Sequence, residues 1–516
     1  MGSRVASFPR LLWSAWPVFL IAAVQIGLHL WVNAHDQFFR DELYYLAAGQ
    51  HLDLGYVDFP PFVAAAAAGA RALFGASLVG IRLLPALAGA LIILIAAGIA
   101  AELGAGPLAQ ALTALAVALG PVFLGSSGIL TMDIFDQLWW SAGIWILIRL
   151  VQRQNPRLWL AFGLIAGVAM LTKVTFGFFT LAVIAGLLLT PQRRLLFNRW
   201  LLLGGGIALL IFSPYLIWQF QHGFPTLEFW RTYASGKTYP VTPPEFLAQQ
   251  ILTAGWISLP LWLAGLFFFF FNPAGKPYRF LGWAYLFLYA IFTITQAKFY
   301  FLSPMYPALF AGGATVLDQI VRWRPGWRWF QAGYLGVVAL ISMTAIPLAV
   351  PILSPEAYIR YSAAFSGLGN VKIERNEEGE LPQLFADHYG WQEIVASVAN
   401  VYSSLSPAER DQACLYTDNY GEAGAIDLYG PAYGLPKAIS GHNSYYLWGI
   451  GSCTGKVMIS IGKPYADEAP WFDSVTEAGQ THCRYCMPFE NDAPILILRG
   501  LKGSLADAWP TAKDYH

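Results

Sequence analysis

Two acids, Asp41 and Glu42, open a short helical run in the stretch Phe39-Arg-Asp-Glu-Leu-Tyr-Tyr-Leu, and Gly55-Tyr-Val-Asp58-Phe-Pro-Pro-Phe follows close behind. An aspartate placed before Leu-Tyr-Tyr-Leu is a good helix N-cap. A carboxylate in the same place is also suited to taking a proton from an attacking nucleophile. Further along come Asp133 and Asp136, then Lys173, then a polar stretch with His222, Glu228, Arg231, Lys237 and Glu245, and finally Lys298 with Tyr300. Such a mixture is what displacement of a phosphate leaving group requires. A carboxylate accepts the proton, and cations hold the negative charge that develops.

The elements that must carry these residues are set by composition. Of 516 residues, 56% are hydrophobic and only 12% charged, against about 25% charged in an average soluble domain. With a mean hydropathy of +0.49 and 35 Phe, 25 Tyr and 20 Trp, the chain reads as a polytopic membrane protein, which excludes an ordinary cytosolic enzyme. Lys+Arg and Asp+Glu balance at 31 each, so no net field argues for nucleic acid or an acidic partner.

A bilayer core takes roughly 20 apolar residues per helix. Candidate spans lie near 11–32, 81–103, 107–126, 132–151, 158–172, 174–190, 200–219, 250–271, 280–297, 299–319 and 330–352, about eleven in all. The 158–190 pair needs a tight turn at Thr172-Lys173-Val174-Thr175, and the 280–319 pair turns at Lys298. Gly163 and Gly167 form a GxxxG that lets two helices approach closely. The Ala run 64–68 and the Phe run 267–271 are compositional patches on apolar helices. Pro60-Pro61 opens a second run, 62–74, too short to span. With the run at Asp41, it is expected to lie along the outer membrane surface.

With a cytoplasmic N-terminus, the cytoplasmic loops hold Arg4 and Arg10, Arg149, Arg153 and Arg157, Arg193, Arg194 and Arg199, Lys276 and Arg279, then Arg322, Arg324 and Arg328. This is a strong positive-inside pattern. An odd number of spans then places residues 353–516 outside, as a small extracytoplasmic α/β domain after a 1–352 membrane domain. The first apolar stretch lacks a small-residue cleavage site before His35-Asp36 and reads as an uncleaved first helix. All four cysteines, Cys414, Cys453, Cys483 and Cys486, fall in the external tail, where one or two disulfides are expected. A zinc site using His482 beside Cys483-Arg-Tyr-Cys486 is the alternative. No Asn-x-Ser/Thr sequon occurs, which favours a prokaryotic membrane.

On this topology the ionisable residues that are not cytoplasmic collect at the outer interface, and the deep membrane holds almost none. A transporter usually carries substrate groups near the midplane on broken helices. A transporter or flippase of a lipid-linked sugar, and a scaffold, are therefore the weaker readings. A reaction on a lipid headgroup fits the distribution better.

The Asp-Glu-x-x-Tyr of the first external loop with a Pro-Pro about 20 residues on resembles glycosyltransferase family 39. Its relatives include the protein O-mannosyltransferases and the bacterial transferase that places 4-amino-4-deoxy-L-arabinose on lipid A. The resemblance continues through Thr131-Met-Asp133, Met170-Leu-Thr-Lys173 and Trp218-Gln-Phe-Gln-His222-Gly-Phe-Pro225, and ends with Lys298-Phe-Tyr-Phe-Leu-Ser-Pro-Met-Tyr-Pro307. It implies a GT-C fold: an all-α polytopic bundle with surface helices in the first external loop and an outward-facing cavity. It also implies a sugar donor carried on polyprenyl phosphate, with no cofactor, at the outer face of a bacterial plasma membrane.

The family's catalytic carboxylate maps onto Asp41, with Glu42 beside it. Lys298, Lys173 and Arg231 are candidates for the phosphate, and Asp133 for orienting a sugar hydroxyl or a lysine. Asp58, His222, Lys237 and Tyr300 complete the substrate-binding set. The implied reaction is inverting transfer to an envelope glycolipid, glycan or protein. One departure stands out: the aminoarabinose branch has a lysine before the loop's proline, where this chain has Asp58-Phe59-Pro60-Pro61. That weighs against aminoarabinose as the sugar.

In the tail, Asn419-Tyr-Gly-Glu-Ala-Gly-Ala, Tyr433-Gly-Leu-Pro and Ser440-Gly-His-Asn-Ser-Tyr-Tyr-Leu-Trp448 mix aromatics with hydrogen-bonding groups, as carbohydrate recognition does. Glu422, His442 and Asn443 are expected to face the cavity and help select the acceptor. The acids Asp36, Asp41, Glu42, Asp53 and Asp58 could hold a divalent cation, but the closer relatives look metal-independent, and no metal is expected.

Overall fold

A computed structural model of the chain describes residues 8–236, 239–365, 372 and 374–516. Two compact units emerge. The first holds Met1–His35, Arg82–Leu216 and Pro240–Ile352; the second holds Asp36–Ile81, Ile217–Tyr239 and Leu353–His516. Residues 353–516 therefore share a unit with the first loop and with 217–239.

The first unit is helical. Phe8–Asn33, Leu83–Glu102, Met132–Arg153, Leu158–Thr172, Thr175–Leu188, Leu259–Phe270, Arg279–Ile294, Tyr306–Trp323 and Arg328–Met343 are among its helices. Among the described residues, four helical segments, Trp16–Asn33, Leu78–Glu102, Met132–Arg153 and Arg199–Gln221, are long and apolar enough to cross a membrane singly. Two bent pairs, Pro107–Ala118 with Pro121–Ser127 (64°) and Pro243–Ala254 with Trp256–Phe270 (94°), pass together. The expected 299–319 span starts later. Residues Phe299–Met305 form a 3₁₀ turn around Pro304, and the α-helix begins at Tyr306.

Small residues bring these helices together. A Cβ at Gly163 would stand 2.1 Å from the carbonyl oxygen of Gly204, and one at Gly167 would meet Ile211 at 2.7 Å, so the GxxxG face lies on helix Arg199–Gln221. Gly265 and Gly313 do the same between Leu259–Phe270 and Tyr306–Trp323, each 2.0 Å from the opposing backbone oxygen.

The second unit is α/β. Among the described residues its five strands are β1 Ala413–Thr417, β2 Ala438–Ser440, β3 Val457–Ile461, β4 Phe472–Gln480 and β5 Pro494–Leu501, in the order β2-β1-β3-β5-β4. The β2-β1-β3 ladder is parallel, with Leu415 opposite Ala438 and Ile459, and β5 runs antiparallel to β3 and β4. All five residues of β3 are buried, as a central strand covered on both faces requires. The crossover from β1 to β2 is the helix Tyr420–Tyr429, whose small residues allow a close approach to the first-loop helix Arg40–Ala48. A Cβ at Gly424 would lie 2.8 Å from the Leu43 backbone, and one at Gly421 would lie 2.9 Å from Arg40 Cγ. Likewise Gly49 rests on Ala64 and Ala68, which gives the Ala run of Phe62–Phe74 a packing role. Two disulfides, Cys414–Cys453 and Cys483–Cys486, take up all four cysteines.

Candidate active site

The acids of the first loop divide their labour. Helix Arg40–Ala48 has Phe39 as its N-cap, and the Phe39 N–H donates to Glu42 Oε2 at 2.8 Å. Glu42 is wholly buried and satisfies a donor that the helix start leaves without an intrahelical partner. The carboxylate expected beside Asp41 in the chemistry is thus placed in a capping contact. Asp41 sits one residue earlier and is partly exposed, and its Oδ1 accepts from the Tyr420 hydroxyl at 2.9 Å.

Around this pair the buried Arg40 gathers several groups. Its backbone N–H donates to the Asp387 carbonyl at 3.0 Å. Its guanidinium approaches Asp387 at 3.9 Å and Glu490 at 3.5 Å, and lies over the rings of Tyr420 (5.3 Å) and Phe489 (5.0 Å). Burial raises Asp387 to about 7 against the opposing pull of Arg40.

A second chain of contacts starts from Asp58. Tyr44 donates to Asp58 Oδ1 at 2.8 Å and accepts from the Ser444 N–H at 2.9 Å, and Asn443 Nδ2 reaches Asp58 Oδ2 at 3.4 Å. The rings of Tyr44 and Tyr420 stack at 4.6 Å. Asn443 is buried with φ +48° and ψ −129°, a conformation that L residues rarely adopt, and its Oδ1 has no hydrogen-bond partner in the structure. His442 receives the Tyr420 N–H on Nδ1 at 3.4 Å, and its Nε2 lies 2.9 Å from a backbone oxygen of His516. These contacts place the imidazole proton on Nε2.

Tyr420 and the His442-Asn443 pair meet because they follow β1 and β2, adjacent parallel strands. The carboxyl ends of such strands are where α/β sheets present their ligand-facing loops. Glu422, expected to face an acceptor, is 1% exposed, and its Oε2 accepts from the N–H groups of Asp418 (3.0 Å) and Asn419 (3.3 Å). Asn419 returns the favour by accepting from the N–H groups of Gly421 and Glu422. The spacing Asn419-x-x-Glu422 is that of a capping box, a signal present in the sequence. Glu422 also meets Glu490, and burial with that facing carboxyl raises it well above the carboxylate range.

His222 stacks on Trp218 at 4.2 Å and donates to its carbonyl, and Trp218 Nε1 donates to Asp53 at 2.8 Å. Arg231 is on the exposed side of helix Pro225–Gly236. Lys237 lies outside the described residues.

In the first unit the tight turn appears where expected. Helix Leu158–Thr172 ends, Lys173 is extended (φ −157°, ψ +131°), and the next helix starts at Thr175. Lys173 pairs with Asp133 in the first turn of Met132–Arg153, and its Nζ lies 4.1 Å from the Phe301 ring and 5.2 Å from that of Tyr300. Lys298 approaches Tyr300 from the other side at 5.9 Å. Four predicted residues, Asp133, Lys173, Lys298 and Tyr300, thus form one cluster. Among the described residues, no group of three or more His, Cys, Asp or Glu could hold a metal ion.

The overall architecture has solved counterparts. ArnT from Cupriavidus metallidurans, crystallised with undecaprenyl phosphate, superposes with a TM-score of 0.60 at 16% identity, covering 93% of this chain and 97% of its own. The archaeal oligosaccharyltransferase AglB from Archaeoglobus fulgidus, in complex with an inhibitory peptide and a dolichol-phosphate, gives 0.51 at 13% identity, covering 88% and 70%. The chain carries the GT-C fold. By sequence, residues 58–218 match the family described as dolichyl-phosphate-mannose-protein mannosyltransferase. The lipid A galacturonosyltransferase RgtD of Rhizobium johnstonii is 31% identical over 217 residues, 40% of this chain and 44% of RgtD. The matched region therefore spans less than half of that relative's length. This GT-C fold includes both features read from the sequence, a mostly helical body and a small C-terminal sheet.

Tyr420, Arg40, Tyr44, Asp387 and Glu490 were not among the predicted site residues. The local signals for Tyr420 were its place inside the capping box and in the aromatic patch that starts at Asn419. Its partner Asp41 is 379 residues away in sequence.

Proposed function

We propose that the protein is an inverting glycosyltransferase that moves a sugar from a polyprenyl-phosphate donor to an envelope acceptor on the outer face of a bacterial plasma membrane. The observation that carries this reading is Asp41: a partly exposed carboxylate in a chain with the GT-C fold, on a rigid helix whose start is secured by Glu42 and Arg40. Asp41 takes the proton from the acceptor hydroxyl or amine, the nucleophile attacks the anomeric carbon, and an oxocarbenium-like transition state releases polyprenyl phosphate. Lys173 and Lys298 hold the leaving phosphate, and Asp133 and Tyr300 orient Lys173. Arg231 is a further candidate for the phosphate, and Lys237 belongs to the substrate-binding set. Asp58, His442 and Asn443 bind sugar or acceptor hydroxyls.

The names of the relatives support a lipid-linked donor and leave the acceptor at the level of envelope glycolipid, glycan or protein. The charge pattern supports about eleven spans, a cytoplasmic N-terminus and an external 353–516 segment.

Transfer from a panel of polyprenyl-phosphate sugars in proteoliposomes tests the reading, with wild type beside Asp41→Asn. Activity with one donor, unchanged by a divalent-ion chelator and about 10²–10⁴-fold lower in the folded variant, is the expected result for loss of a general base. Movement of the intact lipid without cleavage, or a fully active Asp41→Asn, overturns it.

A further inference from the structure

We infer that Tyr420 is a positioning residue for the catalytic carboxylate: its hydroxyl fixes the rotamer of Asp41 and holds that carboxylate in its ionised, proton-accepting form. This inference rests on the assignment of Asp41 as the base.

Four observations support it independently. The Tyr420 hydroxyl donates to Asp41 Oδ1 at 2.9 Å. The ring cannot swing away, because it is stacked on Tyr44 at 4.6 Å, tilted against His442 at 4.8 Å and covered by the Arg40 guanidinium at 5.3 Å. The backbone of Tyr420 is fixed in turn as the first residue of a helix capped by Asn419, with its own N–H on His442. Finally, Gly421 and Gly424 remove the side chains that would keep this helix from Arg40 and Leu43. Burial and the neighbouring Asp41 push the phenol well above its usual range, so it remains a donor throughout the working pH range.

A carboxylate that accepts one more hydrogen bond is stabilised in its charged form. Charged groups on the Arg40 and Tyr420 side of this contact include Asp387 and Glu374 from the segment before the sheet, Glu490 opposite Arg40 and Asp58 near Tyr420, with Arg40 and Glu42 on the helix of Asp41 itself. Arg40 works in the same direction as the hydroxyl, and the carboxylates work against it. Asp41 and Asp387 repel each other as carboxylates, and the hydrogen bond from Tyr420 works against that repulsion at Asp41.

The test is the pH profile of kcat/KM for sugar transfer in the full-length protein in proteoliposomes. Tyr420→Phe keeps the ring and removes only the donor. Its acidic limb is expected to move to higher pH by about one unit, with kcat on the plateau about tenfold lower and KM for the donor lipid within about twofold of wild type. Incorporation of 3-fluorotyrosine at position 420, a stronger donor of nearly the same shape, is expected to move the limb to lower pH. This second variant decides the matter if Tyr420→Phe does not fold. A limb unmoved in the folded variants, with Asp41→Asn inactive, overturns the inference and leaves the base assignment standing. An active Asp41→Asn overturns the base assignment itself.

Discussion

Replacing Gly424 by alanine separates the packing of the Tyr420–Tyr429 helix from its chemistry. The new Cβ would lie 2.8 Å from the Leu43 carbonyl carbon and 2.9 Å from its oxygen, where ordinary contacts begin at 3.4 Å. The obstacle is backbone, so the two helices must part by about 0.6 Å rather than let a side chain rotate. Overpacking of this kind costs about 1–3 kcal/mol, and replacing glycine inside a helix returns about 1 kcal/mol. The net loss of stability is therefore about 0–2 kcal/mol, and the protein stays folded. Position 424 is one turn beyond Tyr420 on the same helix face. The same displacement stretches the 2.9 Å bond from Tyr420 to Asp41 to about 3.5 Å, where it no longer counts as one. Transfer should fall at least tenfold in Gly424→Ala while thermal unfolding in detergent shifts by only a few degrees. Gly69→Ala, where nothing lies within 4 Å of the added carbon, is the control and should change neither. Wild-type transfer by Gly424→Ala would refute the claim that the contact between these helices sets the position of the base.

Two further outcomes follow from the other clusters. Lys173→Met removes the cation paired with Asp133 and is expected to lower transfer about 10²–10³-fold, as loss of a preorganised charge does, with Lys173→Arg intermediate; equal activity of all three in the proteoliposome assay would remove Lys173 from the phosphate site. Glu422 and Glu490 are buried facing each other and both are raised above their ordinary range, so the folded state retains a proton that the unfolded chain has released. Stability from this pair is present at low pH and is lost as pH rises from the ordinary carboxylate range through the raised folded values. The thermal transition of the full-length protein should therefore fall with rising pH across that window, and Glu422→Gln should flatten the dependence.

The helix start at Asp41 and Glu42 was legible because it is local. An acid pair ahead of an apolar-aromatic run, a Pro-Pro helix start and a Thr-Lys break between two apolar stretches are backbone choices made within a few residues, and each appears where the spacing puts it. Lys173, Asp133, Lys298 and Tyr300 were each singled out in the sequence, but that they meet was decided by the packing of distant helices, which periodicity does not carry. Glu422 was expected to face the cavity, and the structure buries it in its own helix cap. Its capping-box spacing was present, but a carboxylate among aromatic and amide side chains looks the same in sequence whether it faces a ligand or its own helix.

The amino-acid sequence by itself determined the apolar solvent this protein lives in, the order of its helices and the α/β character of its tail. Apolar length, charge placement and helix-start chemistry are properties of contiguous residues. Only the tertiary structure decided which of two adjacent acids is closed in and which is partly open, how the four cysteines pair, and that the first loop shares a unit with residues 353–516. It also decided that Tyr420 meets Asp41, because that contact depends on where glycine faces let two helices approach across 379 residues of intervening chain.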